Sequence, residues 1–496
     1  MSQSLTAEAP PVLSVDSTDP PGAGDGRAVV LGAMTALVLV RLFTEVMGII
    51  PRAANFIDLP LLVVLLVYAS TVVKTRATAS AWFKPAVLMF AALWGVSALV
   101  NLDRILAAPA LLFLYGFLAP LFFYFATLKI WSAGGALLAS RTLVALGVLQ
   151  FFVVAIAQLP EFYRTDNPDV ISGTFGENPY QLVFFLIVVG THVAGVTVFE
   201  PKRLTGRLGI AFLLGCFVII FLAQYRALVV TTVVAIIVTG LLLAGARASS
   251  SVDRAAVGRV RAIAMGVIAL ALLFIAFTFA ATRFPELKFL SALEAFKSDP
   301  GLLLEAGKID AAGDVLEVYQ REPHHAPLGT GPGTYSSRAW YTFAFFDSTS
   351  ESNVAGEYVS KLTGGVVYRT DVSDEFVLPR ARGQLTVLGS HALTHPFSSY
   401  LAVAAEVGVL GLLIILGTYL GAVKRCYRIA RNQIRNYVPG DALPALCIAA
   451  VMAPLTLLQM AFLDNWLEVT RVTVPTWILI AIVQSEVASR PAAGRK

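Results

Sequence analysis

Arg226 and His395 are the residues whose type and setting point most directly to chemistry. Residues 208–243 form a run of about 36 mostly apolar residues, broken once by Gln224-Tyr225-Arg226. A bilayer core takes about 20 helical residues, so the run must fold back on itself and Arg226 falls at a membrane surface, near the tip of a hairpin. A guanidinium matches phosphate oxygens in pairs and stays charged at any relevant pH. An arginine placed there can grip an anionic head group; the plainer reading is a snorkelling anchor for the hairpin. His395 stands in Thr394-His395-Pro396-Phe397-Ser398-Ser399-Tyr400-Leu401, and a helix follows at once through Glu406, Gly408 and Gly411. Its imidazole can take a proton near neutral pH, as a general base must. His391, four residues earlier, is the alternative base, whereas His324-His325, beside Pro323 and Pro327, reads as solvated loop.

The elements that must hold these groups are membrane helices. The chain has 496 residues, of which 57% are hydrophobic and 14% charged, and its mean hydropathy of +0.74 lies far outside the soluble globular range. The expected fold class is an all-α polytopic integral membrane protein of about twelve transmembrane helices: 28–50, 57–74, 84–101, 107–128, 137–159, 179–199, 208–223, 226–245, 262–280, 397–423, 443–463 and 472–488. The division is a disordered cytoplasmic tail over 1–27, nine helices within 28–280, a large extracytoplasmic loop domain over 281–396, three helices within 397–488 and a second cytoplasmic tail over 489–496. With both termini inside, one set of connections holds Lys74, Arg76, Lys84, Lys129, Arg141, Lys202, Arg203, Arg207, Arg247 and a basic run from Lys424 to Arg435; the short opposite loops hold only Arg52, Arg104, Arg164, Arg226 and Arg471. That imbalance orients the chain, and it accounts for a pI near 9.0 without a nucleic-acid partner. Cys216, Cys426 and Cys447 fall in helices or on the inner side, which leaves no outer disulfide and no thiolate metal cluster.

One connection stands apart. Residues 283–395 carry ten Lys/Arg, fourteen Asp/Glu and four of the five histidines, and a loop that long inside a compact protein is usually functional. Residues 287–319 show apolar positions at helical spacing (Leu290, Leu293, Phe296; Val315, Val318), expected as amphipathic helices near the interface. Gly329-Thr330-Gly331-Pro332-Gly333 reads as a structural turn, since no strand precedes it as a nucleotide fingerprint requires. Gly173-Thr174-Phe175-Gly176-Glu177-Asn178-Pro179 reads as an ordered turn capping the next helix, with Arg164 as a further cation on the same side. Arg41 and Glu45, four apart on one helix, read as a structural ion pair. P-loop, His-Glu-x-x-His and Asp-x-Asp motifs are missing, so metal-independent chemistry is expected.

These features together resemble the bacterial O-antigen ligase and O-antigen polymerase superfamily. The resemblance rests on twelve helices with both ends inside, the large outer loop between helices nine and ten, and four local matches in order: residues 173–179, Gln224-Tyr225-Arg226 opening a helix, Gly329-Thr330-Gly331-Pro332-Gly333, and His395 to Gly411 with Tyr400-Leu401, Glu406 and Gly408. Val230 stands where the family usually has leucine, and His395 precedes Gly408 by thirteen positions where eleven is usual, which keeps His391 open as the base. The resemblance implies a glycosyltransferase of the bacterial inner membrane. It would move or polymerise glycan from an undecaprenyl-diphosphate-linked donor onto a hydroxyl of a lipid or glycan acceptor, with inversion and without cofactor or metal. In that reading Arg226 and His395 are catalytic; Arg164, Arg338, Asn178 and Tyr225 bind substrate; and the loop's aromatics hold sugars. The alternative is a twelve-helix secondary transporter, against which stand the lack of two related halves and the off-centre hydrophilic segment.

Overall fold

The computed structural model describes residues 23–71, 83–165, 167–176, 178–200, 204–223, 226–247, 307–344, 368–379 and 397–490. Among these residues every regular element is a helix. In chain order they are α1 (Ala23–Arg41), α2 (Asp58–Thr71), α3 (Phe83–Val100), α4 (Ala107–Ile130), α5 (Ala136–Val153), α6 (Leu159–Thr165), α7 (Pro179–Phe199), α8 (Leu204–Leu222) and α9 (Arg226–Arg247). They continue with α10 (Gly307–Arg321), α11 (His325–Leu328), α12 (Arg338–Ala344), α13 (Ser399–Arg435), α14 (Leu443–Leu463) and α15 (Thr470–Ser489). Eight helical stretches are long and apolar enough to cross a membrane, and Asp58–Thr71, Arg207–Leu222 and Thr231–Leu242 are shorter apolar helices. The protein is therefore an all-α membrane protein. Eleven of the twelve expected segments coincide with helices, and the segment 262–280 lies outside the described residues.

The centre of the bundle is α7, α14 and α15. In the apolar window of α14 83% of residues are buried, against 22% in α3, so α14 is an interior helix and α3 a peripheral one. This follows from side-chain size: α14 presents Ala445, Ala449, Ala450, Ala453 and Ala461, all buried, where neighbours approach closely, and small residues let membrane helices pack. Large residues such as Leu88, Met89 and Leu99 of α3 are exposed on the outside of the bundle, where lipid replaces water as the solvent.

Three expectations change. α1 begins at Ala23, inside the expected 1–27 tail, because Arg27 can fold over the α4–α5 connection, where Nε donates to Ser132 Oγ at 3.0 Å. α13 runs to Arg435, twelve residues beyond its expected end at 423, because the apolar run gives way to an amphipathic basic stretch (Lys424, Arg425, Arg428, Arg431) that continues the helix with Cys426 and Ala430 still buried. The hydrophilic segment also builds a small core of its own: Val315 and Val318 of α10 pack with Tyr335, Trp340, Phe343, Tyr368 and Phe376 against Ala404 and Ala405 of α13. Of the aromatic stretch expected to hold sugars, Trp340 and Phe343 are interior residues, Tyr341 is partly buried, and Phe345 and Phe346 lie outside the described residues; Tyr335, 1% exposed, joins the same core, since a polar segment needs apolar anchors to dock on a bundle.

Candidate functional site

Hydrogen bonds from Arg41 to Phe175, Arg471 to Asn55, Leu467 to Ser399 and Arg338 to Glu468 bring the end of α1, the turns before α2 and α7, and the starts of α12, α13 and α15 to one end of the bundle, the expected outer end. Residues 172–176 are pinned there by two glutamines from α5 and the π-turn that follows it. Gln158 Oε1 accepts from Ser172 N (3.0 Å) and Gly173 N (2.7 Å), while Gln150 Oε1 accepts from Thr174 N (2.8 Å) and Gln150 Nε2 donates to Thr174 Oγ1 (2.8 Å). Thr174 Oγ1 in turn donates to Val38 O of α1. Every polar group of this turn that is paired in this way serves to fix backbone. The fixed carbonyl of Phe175 accepts from Arg41 NH1 at 3.2 Å. Gly176 has φ +69, and a Cβ there would run into the carboxylate of Glu45, so only glycine lets the turn close over the Arg41–Glu45 pair. Arg41 Nε lies 3.1 Å from Glu45 Oε1, and Asn55 Nδ2 donates to the same oxygen at 2.8 Å.

The glycine-rich turn is locked against a break in α13. Gly408 interrupts that helix at φ +77 and ψ 177, and a Cβ on it would meet the carbonyl of Pro327. The break frees backbone groups that the turn then satisfies: Thr330 N donates to Ala405 O (2.7 Å) and Gly331 N to Glu406 O (3.1 Å). Glu406, fully buried, accepts from Gly333 N (2.5 Å), Tyr335 N (3.0 Å) and Ser337 N (2.9 Å). The structural-turn reading of residues 329–333 is what the geometry shows.

A second buried carboxylate begins the next helix. Glu468, in the turn between α14 and α15, accepts at Oε2 from Arg338 N (2.8 Å) and Ala339 N (3.3 Å), capping the start of α12; its Oε1 has no hydrogen-bond partner among the described residues. Burial first, and the charge of Glu406 second, hold its carboxyl well above the ordinary carboxylate range. The folded chain therefore keeps this proton to a higher pH than the unfolded chain does, and stability falls as pH rises from about 4.5 through the raised value. Glu468→Gln, which keeps an oxygen for Arg338 N, should flatten that decline. A wild-type slope of unfolding temperature in the variant, measured in detergent between about pH 5 and pH 8, would refute the assignment.

Arg338, the first residue of α12, is exposed, and Arg471 at the start of α15 is half-buried with NH2 donating to Asn55 O at 2.9 Å. The charged groups acting on Arg471 are Arg41, Glu45, Asp58 and Arg338. Arg41 and Arg338 therefore add positive charge around Arg471, and Glu45 and Asp58 offset part of it. Guanidinium groups gathered at the end of an apolar bundle can bind an anion, and the carbonyls of Phe175 and Asn55 hold Arg41 and Arg471 in place.

The expected site residues divide. Arg338 joins this cluster. Asn178 caps α7, its Oδ1 accepting from Gln181 N at 3.1 Å, as the turn reading required. Arg164, on α6, is exposed over 78% of its side chain and lies 3.9 Å from Glu161. Arg226 is the first residue of α9, so it does open a helix. Tyr225, His391 and His395 lie outside the described residues. His325 is not solvated: it is 1% exposed, packed beneath Arg104. Two members of the cluster were missed. Arg41 had been accounted for by its pair with Glu45, and Arg471 was a single basic residue in a short loop, with no motif around it. No model of a known protein family matches the chain, and no curated protein matches its sequence.

Proposed function

We propose that the protein is a membrane glycosyltransferase that moves or polymerises glycan from an undecaprenyl-diphosphate-linked donor onto a hydroxyl acceptor. The observation that carries the reading is the group of Arg41, Arg338 and Arg471 at the expected outer end of a bundle of apolar helices, beside the hydrophilic segment. A polyprenyl tail would lie against the apolar helices, and its diphosphate would meet cation at the bundle end. Arg226, opening α9, and Arg338 would hold the diphosphate and stabilise the negative charge that grows on it as the sugar leaves. The acceptor oxygen would attack the anomeric carbon from the opposite face, the bond from that carbon to the diphosphate oxygen would break with inversion, and His395 would take the acceptor proton. His391 is the alternative base.

His395 stands two residues before Phe397, whose carbonyl accepts from the Lys308 ammonium at 2.6 Å; the same ammonium donates to Leu463 O at 2.7 Å. That tie fixes the entry to α13. The test is electrophoresis of the products that purified protein forms from a lipid-diphosphate-linked oligosaccharide, with and without a lipid acceptor. A ladder on the carrier alone supports a polymerase, and a product that needs the acceptor supports a ligase. Arg226→Ala should lose product by roughly 10²-fold or more at unchanged membrane level; near-normal yield would remove the arginine from the reaction.

A further inference from the structure

The link between the hydrophilic segment and the bundle holds a cluster that the transfer chemistry leaves unused. Glu322 follows α10, His324 precedes α11 and His325 begins it, and Asn101 and Arg104 come from the α3–α4 connection. One carboxylate oxygen of Glu322 and one ring nitrogen from each histidine lie within 4.8 Å of one another. Glu322 Oε2 is 3.6 Å from His324 Nε2 and 3.4 Å from His325 Nε2. Bonds of about 2.0–2.2 Å to a tetrahedral centre put ligand atoms about 3.3–3.6 Å apart, which these separations match. Asn101 supplies a fourth donor: its Nδ2 donates to Ser97 O and Gly329 O, so Oδ1 is the atom turned to His325 Nε2, at 3.3 Å.

Charge points the same way. Two carboxylates, Glu322 and Asp371, lie within 4 Å of the Arg104 guanidinium, so the cluster carries more anion than this one cation balances. Arg104 holds the position in part, with NH1 3.1 Å from His325 Nε2 and 3.5 Å from Glu322 Oε2. It has other anions to fall back on, since NH2 donates to Glu322 Oε1 at 2.8 Å and Nε lies 3.5 Å from Asp371 Oδ2.

We infer that Glu322, His324, His325 and Asn101 form a site for a zinc-class divalent ion, which takes the place of Arg104 NH1 and clamps α10 and α11 to the α3–α4 connection. Two imidazoles, a carboxylate and an amide oxygen suit late first-row dications over calcium or magnesium. The ion is a brace and not a catalyst, and the inference does not depend on the transferase reading.

Full-length protein in detergent, stripped with chelator and then dialysed, is titrated with Co²⁺ and followed by its d–d absorption, with Zn²⁺ as competitor and unfolding temperature as a second readout. The expected result is one equivalent bound with the strong bands of tetrahedral Co²⁺, displacement by Zn²⁺, and a rise in unfolding temperature with Zn²⁺. His324→Ala, at a half-exposed position where folding is safe, should weaken binding about tenfold or more, and Glu322→Gln likewise. Arg104→Gln should tighten binding, because it removes the competing cation; weaker binding in that variant would overturn the exchange. The absence of saturable binding, or binding that His324→Ala leaves unchanged, would overturn the site.

Discussion

Glu406→Ala is expected to yield no stably folded protein. The carboxylate is fully buried and accepts three backbone N–H groups, those of Gly333, Tyr335 and Ser337, within 3.0 Å. Alanine would leave all three donors without a partner in the interior, where each costs about 1–3 kcal/mol. The sum approaches the whole stability of an ordinary domain, about 5–15 kcal/mol. The damage would also spread, because the same turn satisfies the backbone freed at Gly408 through Thr330 and Gly331. Glu406→Gln should be intermediate, since its amide keeps one oxygen for these donors but turns an NH2 toward the others. The measurement is the recovery of monodisperse protein and its unfolding temperature in detergent. An alanine variant that melts with the wild type would show that the carboxylate does not hold the turn.

Arg338→Ala should cost transfer roughly 10²-fold while Arg164→Ala stays within a few-fold of wild type. Both arginines looked equivalent as cations on the expected outer side, and the structure separates them. Arg338 shares its surroundings with Arg41 and Arg471, where two further guanidinium groups raise the local affinity for a diphosphate. Removing one donor aimed at the developing charge in such a setting costs about 2.7–4 kcal/mol in the transition state. Arg164 is largely exposed and sits at ion-pair distance from Glu161, a surface arrangement worth little. Because Arg338 is itself exposed and its fold contact is through its backbone N–H to Glu468, the alanine variant should keep wild-type stability. The comparison is initial transfer rate at saturating acceptor beside unfolding temperature for both variants. Equal losses, or a loss at Arg164 alone, would place the anion elsewhere.

The membrane helices were legible because their signal is compositional: a span needs about 20 apolar residues in a row whatever surrounds it. The turns were legible for a similar reason. Glycine and proline at 329–333 and Asn178 before Pro179 mark conformations that follow from local sterics. Helix ends were less legible. The end of α13 passed unread because burial of Cys426 and Ala430 depends on neighbouring helices, while hydropathy sees only the lysines and arginines between them.

Residue types alone marked a helical membrane protein, most of its apolar helices and several of its turns, and a polar segment concentrated between residues 283 and 395. All of these follow from residue type and near neighbours along the chain. Packing in three dimensions made Glu406 and Glu468 internal braces, put Trp340 and Tyr335 in a core, buried His325 beneath Arg104, and brought Arg41 and Arg338 close enough to act on Arg471. Those residues are separated by tens to hundreds of positions, and charge, burial and hydrogen bonding depend on distance through space, which spacing along the chain does not encode.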